Sequence, residues 1–190
     1  MPTTANITTP AVPNLMHPLD EFYAHAGQPL PPWQQIDGAA MPEPYRTLLV
    51  HQNDMTPTLE KFHKARIHLR LLGRRHKDDE YFREVALLLD GTNEPVEFGA
   101  IKINLDRFPA EAREKILGEY TPLGTILAEC SIVHTSRPKG YLRFASDPLI
   151  NESLNLTGAH ILYGRRNTLF DAEGQPLAEI VEILPPAKGK

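Results

Sequence analysis

Two runs near the C-terminus, ILYGRRNTLF beginning at Ile161 and LAEIVEILP ending at Pro185, constrain this chain more than any other part of it. Both are rich in β-branched and large apolar residues, and they flank the polar stretch DAEGQP, which contains Gly174. That is the pattern of a β-hairpin with a slightly long turn. Charge sits inside both runs: Arg165 and Arg166 in the first, Glu179 and Glu182 in the second. Alternation along a strand sends one member of each pair to each face. At least one Arg and one Glu therefore point towards the side that the rest of the chain covers. A charge there is costly unless it is paired or serves a ligand. For the hairpin alone, a cross-strand Arg–Glu pair on a wet face is the plainer reading.

Three further strands are expected upstream. RIHLRLLG (66–73) alternates polar with apolar, EYFREVALLL (80–89) is almost continuously apolar and should be central, and VEFGAIKINL (96–105) alternates again, with Gly99 read as a bulge. The turn DGTNEP joins the last two. Residues 130–134 and 140–145 make a less regular strand pair. Helical stretches are PYRTLLV (44–50), a helix capped by Thr56 with Pro57 in its first turn, PAEAREKIL (109–117) and TPLGTILAE (121–129). The capped helix should carry Leu59, Phe62 and His63 on one face, and Met55 just before it sits where a residue lines a pocket or packs in the core. Residues 147–158 read as a polar loop. Helices, a meander, more helices and a closing hairpin, with no β-α-β alternation, predict an α+β domain: an antiparallel sheet with helices on one face.

The domain is expected over 43–186. Residues 1–42 read as a proline-rich, partly disordered arm and 187–190 as a tail. In the arm, QPLPPW should be extended, with Trp33 anchoring it onto the domain.

At 190 residues, 41% hydrophobic and 23% charged, the chain can bury one sizeable core. A net charge of −4 argues against nucleic-acid binding, although a local Arg cluster can still hold a small anion. The single Cys130 excludes an intrachain disulfide and fits a cytoplasmic location. No apolar run is long enough for a membrane span, and the N-terminus lacks a secretory pattern. GxGxxG, Walker and HExxH motifs are absent, and the eight His are scattered, so neither metal nor cofactor is expected. Chemistry would have to come from Arg, Glu and shape. Arg83 stands out because its strand otherwise reads as buried. Its planar fork suits a carboxylate, from a ligand or from one of the glutamates.

DMTPTLE, YFREVALLLDGTNEP, TPLG, LYGRRNTLF and EILP, in that order from about Tyr45 to Pro186, resemble the chorismate lyase family, in particular its shorter, divergent members. The resemblance implies a six-stranded antiparallel sheet with helices on one face. It implies an enzyme, a carbon-oxygen lyase that releases pyruvate from chorismate to leave 4-hydroxybenzoate, without cofactor or metal. The product would feed ubiquinone or other aromatic-derived biosynthesis. It assigns Arg83 to the product carboxylate, Leu123 to a main-chain contact, Met55 to the pocket wall, and a glutamate to the ring hydroxyl and leaving group. Counting back from the final Leu-Pro, that glutamate is Glu182. Counting forward from the GQP turn lands on Val181, and a bulge would turn Glu179 inward instead. Arg83 and Glu182 are thus the expected catalytic pair, with Arg165 or Arg166 as a second carboxylate holder.

Two other readings stand beside this one. The same fold serves as a non-catalytic, small-molecule effector domain in bacterial transcription regulators, which would make the site a binder of an aromatic carboxylate. No helix-turn-helix pattern precedes Tyr45. A related lyase giving a different hydroxybenzoate is the third reading. The expected partner is chorismate, with no nucleic acid, and the expected state is a monomer, with a dimer left open.

Overall fold

The terminal hairpin forms the middle of the sheet. Its strands, β6 (Ile161–Phe170) and β7 (Pro176–Leu184), pair antiparallel through a turn over residues 171–175. The computed structural model describes residues 14–187, so the disorder expected of residues 1–13 and the tail at 188–190 lie outside the described residues. The chain begins with α1 (Leu19–His25) and β1 (Trp33–Ile36), then α2 (Tyr45–Leu49) and α3 (Met55–His63). The meander follows: β2 (Ile67–Lys77), β3 (Glu80–Leu89) and β4 (Pro95–Asn104). After α4 (Ala110–Leu117) and α5 (Leu123–Glu129) come β5 (Thr135–Ala145) and α6 (Pro148–Leu154), and then the hairpin. All pairings are antiparallel, in the order β1-β5-β6-β7-β4-β3-β2.

The sheet has seven strands, not six. The seventh is β1, within the stretch expected to be an arm, and it pairs with β5 from Trp33↔Phe144 to Ile36↔Tyr141. Trp33 is not the anchor: it is 39% exposed. Leu15, Met16, Leu19, Phe22 and Tyr23 hold this segment down instead, packed on Phe82, Phe98, Phe144 and Ile183.

Helices cover both faces, not one. Phe82, Phe98 and Ala100 pack with α1 and α6, whereas Tyr81, Val85, Ile101 and Ile103, on the other side of the same strands, pack with α2 to α5. Covering on both sides is why β3 reads as a continuous apolar run. The helix α6 replaces the expected polar loop. Asp147 caps it by accepting from the Ile150 N–H at 2.8 Å, and Pro148 occupies the first turn.

Other expectations also shift. Helix α3 starts at Met55, with Asp54 rather than Thr56 in the cap position, and Phe62 is 49% exposed while Leu59 is buried. Residues 130–134 are not a strand. The bulge falls between Leu87 and Leu88 rather than at Gly99. Gly99 serves close packing instead, since a Cβ there would run into the Val181 carbonyl, and one at Gly164 into the Glu182 carbonyl. The two glycines let β4 and β6 close tightly on either side of β7.

Candidate functional site

Register sets out the face beneath α3 and α5 as rows. One row runs Val85, Gly99, Glu182, Arg165 across β3, β4, β7 and β6. The next runs Arg83, Ile101, Ile180, Asn167. On the other side of the glycine row, Leu87 stands opposite Glu97. Above this floor, Met55 and Thr56 open α3, and Pro122, Leu123 and Gly124 open α5. A Cβ on Gly124 would sit 3.1 Å from the Thr56 hydroxyl, so the two helix starts cross in close contact. The space enclosed is a cavity of about 60 Å³, and Met55, Arg83, Leu123 and Glu182, the four residues singled out from the sequence, all line it.

Arg83 is 1% exposed and faces this cavity. Its guanidinium donates only two long hydrogen bonds, 3.4 Å to the Ile116 carbonyl and 3.5 Å to the Thr121 carbonyl. Its Nε is buried without a partner. The acid in its electrostatic surroundings, Glu119, is committed to Arg74 at 2.7 Å and to the Tyr81 hydroxyl. Burial lowers Arg83 from 12.5 to about 10, which leaves it cationic at neutral pH. The sheet thus carries a buried cation with no carboxylate in ion-pair contact among the described residues.

Glu182 is arranged in the opposite way. It points into the covered face and Glu179 away from it. Its carboxylate takes a hydrogen bond from the Arg165 Nε in a fully buried ion pair. The rest of Arg165 is also occupied, donating to the His51 carbonyl at 3.0 Å and the Asn53 carbonyl at 3.1 Å. Arg165 therefore ties the α2–α3 connection to the sheet and has no fork left for a ligand. Arg166 lies on the opposite face, 2.6 Å from Glu179, and takes no part. Both Arg–Glu pairs of the hairpin are cross-strand pairs, one buried and one at the margin.

One cavity residue escaped the sequence reading. Glu97 is 5% exposed, and its Oε2 has no hydrogen-bond partner. Burial raises its carboxyl well above the ordinary range, and the neighbouring Glu182 raises it further, against the opposing pull of Arg165. The signal was phase: Glu97 shares its side of β4 with Gly99, Ile101 and Ile103, the residues that should be covered. Among the described residues, no group of three or more His, Cys, Asp or Glu is placed to hold a metal ion, and no helix is long and apolar enough to cross a membrane.

Compared by sequence, the chain matches no family model and no curated protein. Compared by structure, it resembles PhnF from Mycobacterium smegmatis (10% identity, TM-score 0.53, covering 72% of this chain and 65% of that one). It also resembles the separately solved effector domain of that protein (11%, 0.52, covering 69% and 87%). A third likeness is to YydK of Bacillus subtilis, described as a possible transcriptional regulator (10%, 0.50, covering 70% and 64%). The shared fold is the one seen in the effector domain of PhnF. The chorismate lyase fold is related to it, so the resemblance read in the sequence holds at the level of fold. At these identities the likeness is one of fold alone, and the chain spans 65% of the PhnF structure and 64% of the YydK structure.

The expected enzyme is corrected here. The structures sharing the fold include an effector domain and a possible transcriptional regulator, which point away from a chorismate-to-4-hydroxybenzoate lyase. The carboxylate expected to move protons is held in an ion pair with Arg165.

Proposed function

We propose that this domain binds a small organic carboxylate, an aromatic one, and does not transform it. The observation that carries this reading is Arg83: a buried guanidinium without an anionic partner, at the wall of a cavity. Placing a charge in such a site costs several kcal/mol unless an anion completes it. A ligand carboxylate would use the planar fork that Ile116 and Thr121 engage only at long range. Leu69, Val85, Leu123 and Leu127 give the cavity apolar walls; at about 60 Å³ it is smaller than a ring requires, so in this reading a ring enters by moving the Met55 side chain and the α3 and α5 starts apart. In this reading Glu182 and Arg165 are walls held rigid by each other.

The test is calorimetric titration with benzoate and, as a neutral control of the same shape, benzamide. Benzoate should bind and benzamide should not. Arg83→Gln should weaken benzoate binding about 30- to 5000-fold, the range for removing one partner of a buried charged pair (roughly 2–5 kcal/mol). Equal binding of benzoate by wild type and Arg83→Gln would refute the carboxylate anchor.

A further inference from the structure

Under α6 two carboxyl groups face each other, and neither is in an ion pair among the described residues. Glu84 alternates along β3 with Arg83 and Val85, so it points away from the cavity. It is 8% exposed, and its Oε1 is buried without a hydrogen-bond partner. Its cross-strand neighbours, Gly73 on β2 and Ala100 on β4, bring no charge to it. Asp147, by contrast, is fully used. One oxygen caps α6 by accepting the Ile150 N–H at 2.8 Å, and the other ties that cap to α1 by accepting the Tyr23 hydroxyl at 2.7 Å. Tyr23 keeps its proton, because burial first and then Asp147 push its hydroxyl above the ordinary range. The other charges on the packed elements are engaged elsewhere or exposed. Arg70 on β2 donates to the Ser153 carbonyl at the far end of α6, at 2.9 Å. Glu21 on α1 is turned to Arg75 at 3.0 Å, and Glu152 on α6 is exposed.

We infer that α6 is a pH-sensitive strap: with Glu84 neutral, the Asp147 cap stays fastened to α1, and ionisation of Glu84 lifts the cap and α6 from the sheet. The inference does not rest on the reading of Arg83, which points to the other face. A Glu84 carboxylate in the closed position has neither water nor a donor, and it stands against the Asp147 charge. Lifting α6 relieves both at once, because water then reaches the carboxylate. The helix is short enough to move by itself. It runs for seven residues, ends at Asn155 in the left-handed conformation and is followed by Gly158 at φ +83°. Its polar ties to the rest of the fold are the Asp147–Tyr23 bond at one end and the Arg70–Ser153 bond at the other. The direction follows from the charge. Burial first, and Asp147 second, raise Glu84 from 4.5 to about 7 in the closed state. A raised acid favours the closed state at low pH, so the strap loosens as pH rises through about 7.

The experiment is amide hydrogen exchange of the full chain at about pH 6 and about pH 8, read by mass spectrometry on fragments covering residues 147–156 and, as a control, 110–117 in α4, with the intrinsic effect of pH on exchange divided out. If Glu84 returns to its ordinary 4.5 once α6 lifts, the opening equilibrium rises about 10-fold between these two pH values. Protection of α6 should fall by about that factor, while that of α4 stays within about threefold. Glu84→Gln keeps the size and removes the ionisation, so its α6 protection should be alike at both pH values. Equal wild-type protection of α6 at the two pH values, an equal loss in α4, or a loss that Glu84→Gln retains would overturn the strap. Should Glu84→Gln not fold, the wild-type fragments decide together with carbon-13 NMR of the Glu84 carboxyl: a midpoint near 7 supports the strap and one near 4.5 overturns it.

Discussion

Replacing Arg83 with Met should make the ligand-free protein more stable while removing its carboxylate site. Burial lowers the Arg83 guanidinium from 12.5 to about 10. At about 1.4 kcal/mol per pH unit, that is an unfavourable burial on the order of 3 kcal/mol. Two long hydrogen bonds, to Ile116 and Thr121, offset part of it. Their loss should cost about 0.5 to 1 kcal/mol each, since both lie beyond the usual N–H···O range. Met has a similar reach and no charge, and it packs in irregular apolar space. The net expectation is a gain of about 1–2 kcal/mol, which for a chain of this size raises Tm by roughly 2–8 °C. Urea unfolding without ligand, read by far-ultraviolet circular dichroism, would show a higher midpoint at unchanged slope. Calorimetry of the same variant would show no benzoate binding. A variant less stable than wild type by about 1 kcal/mol or more would refute the reasoning. The guanidinium would then be satisfied inside the protein, and the argument for an absent anion would lose its footing.

Two further perturbations test other parts of the fold. Glu84, buried beside Asp147 under α6, has its carboxyl raised to about 7, first by burial and then by the Asp147 charge. An acid whose folded value lies above its ordinary 4.5 is most stabilising below that value, and stability falls as pH rises from about 4.5 to about 7. Glu84→Gln should flatten that slope and add about 1–2 kcal/mol at pH ~7.5 relative to pH ~5, after allowance for partial solvent screening. An equal wild-type-to-variant gap at both pH values in denaturant unfolding would contradict it. Gly99→Ala should cost about 3 kcal/mol or more, because the new Cβ meets the Val181 main chain rather than a movable side chain. A loss below about 1 kcal/mol in the same assay would show that β4 and β7 can separate at that point.

Period and turn chemistry are local, and that is why the hairpin, the meander and the α+β class were legible in the sequence. The buried Arg83 could be read because its neighbours Val85 to Leu89 left no wet face for it to use. The helix α6 has a local signal too, in Asp147 followed by Pro148, but the polar residues among 151–158 mask it. Other features depend on contacts between distant segments, which no local pattern encodes. Residues 14–36 read as an arm because they are proline-rich, yet α1 docks on the far face of the sheet and β1 pairs with β5. The order of strands places β7 between β4 and β6, and only that order puts Glu97, Glu182 and Arg165 in one another's field. Sequence supplied two arginines and two glutamates on the hairpin. Tertiary structure decided that Arg165 would be consumed by Glu182 and the α2–α3 connection, leaving Arg83 with a charge that nothing in the described fold neutralises. The reason is physical: a side chain's type sets what it can bond, but burial and the partners brought to it set whether that capacity is already used.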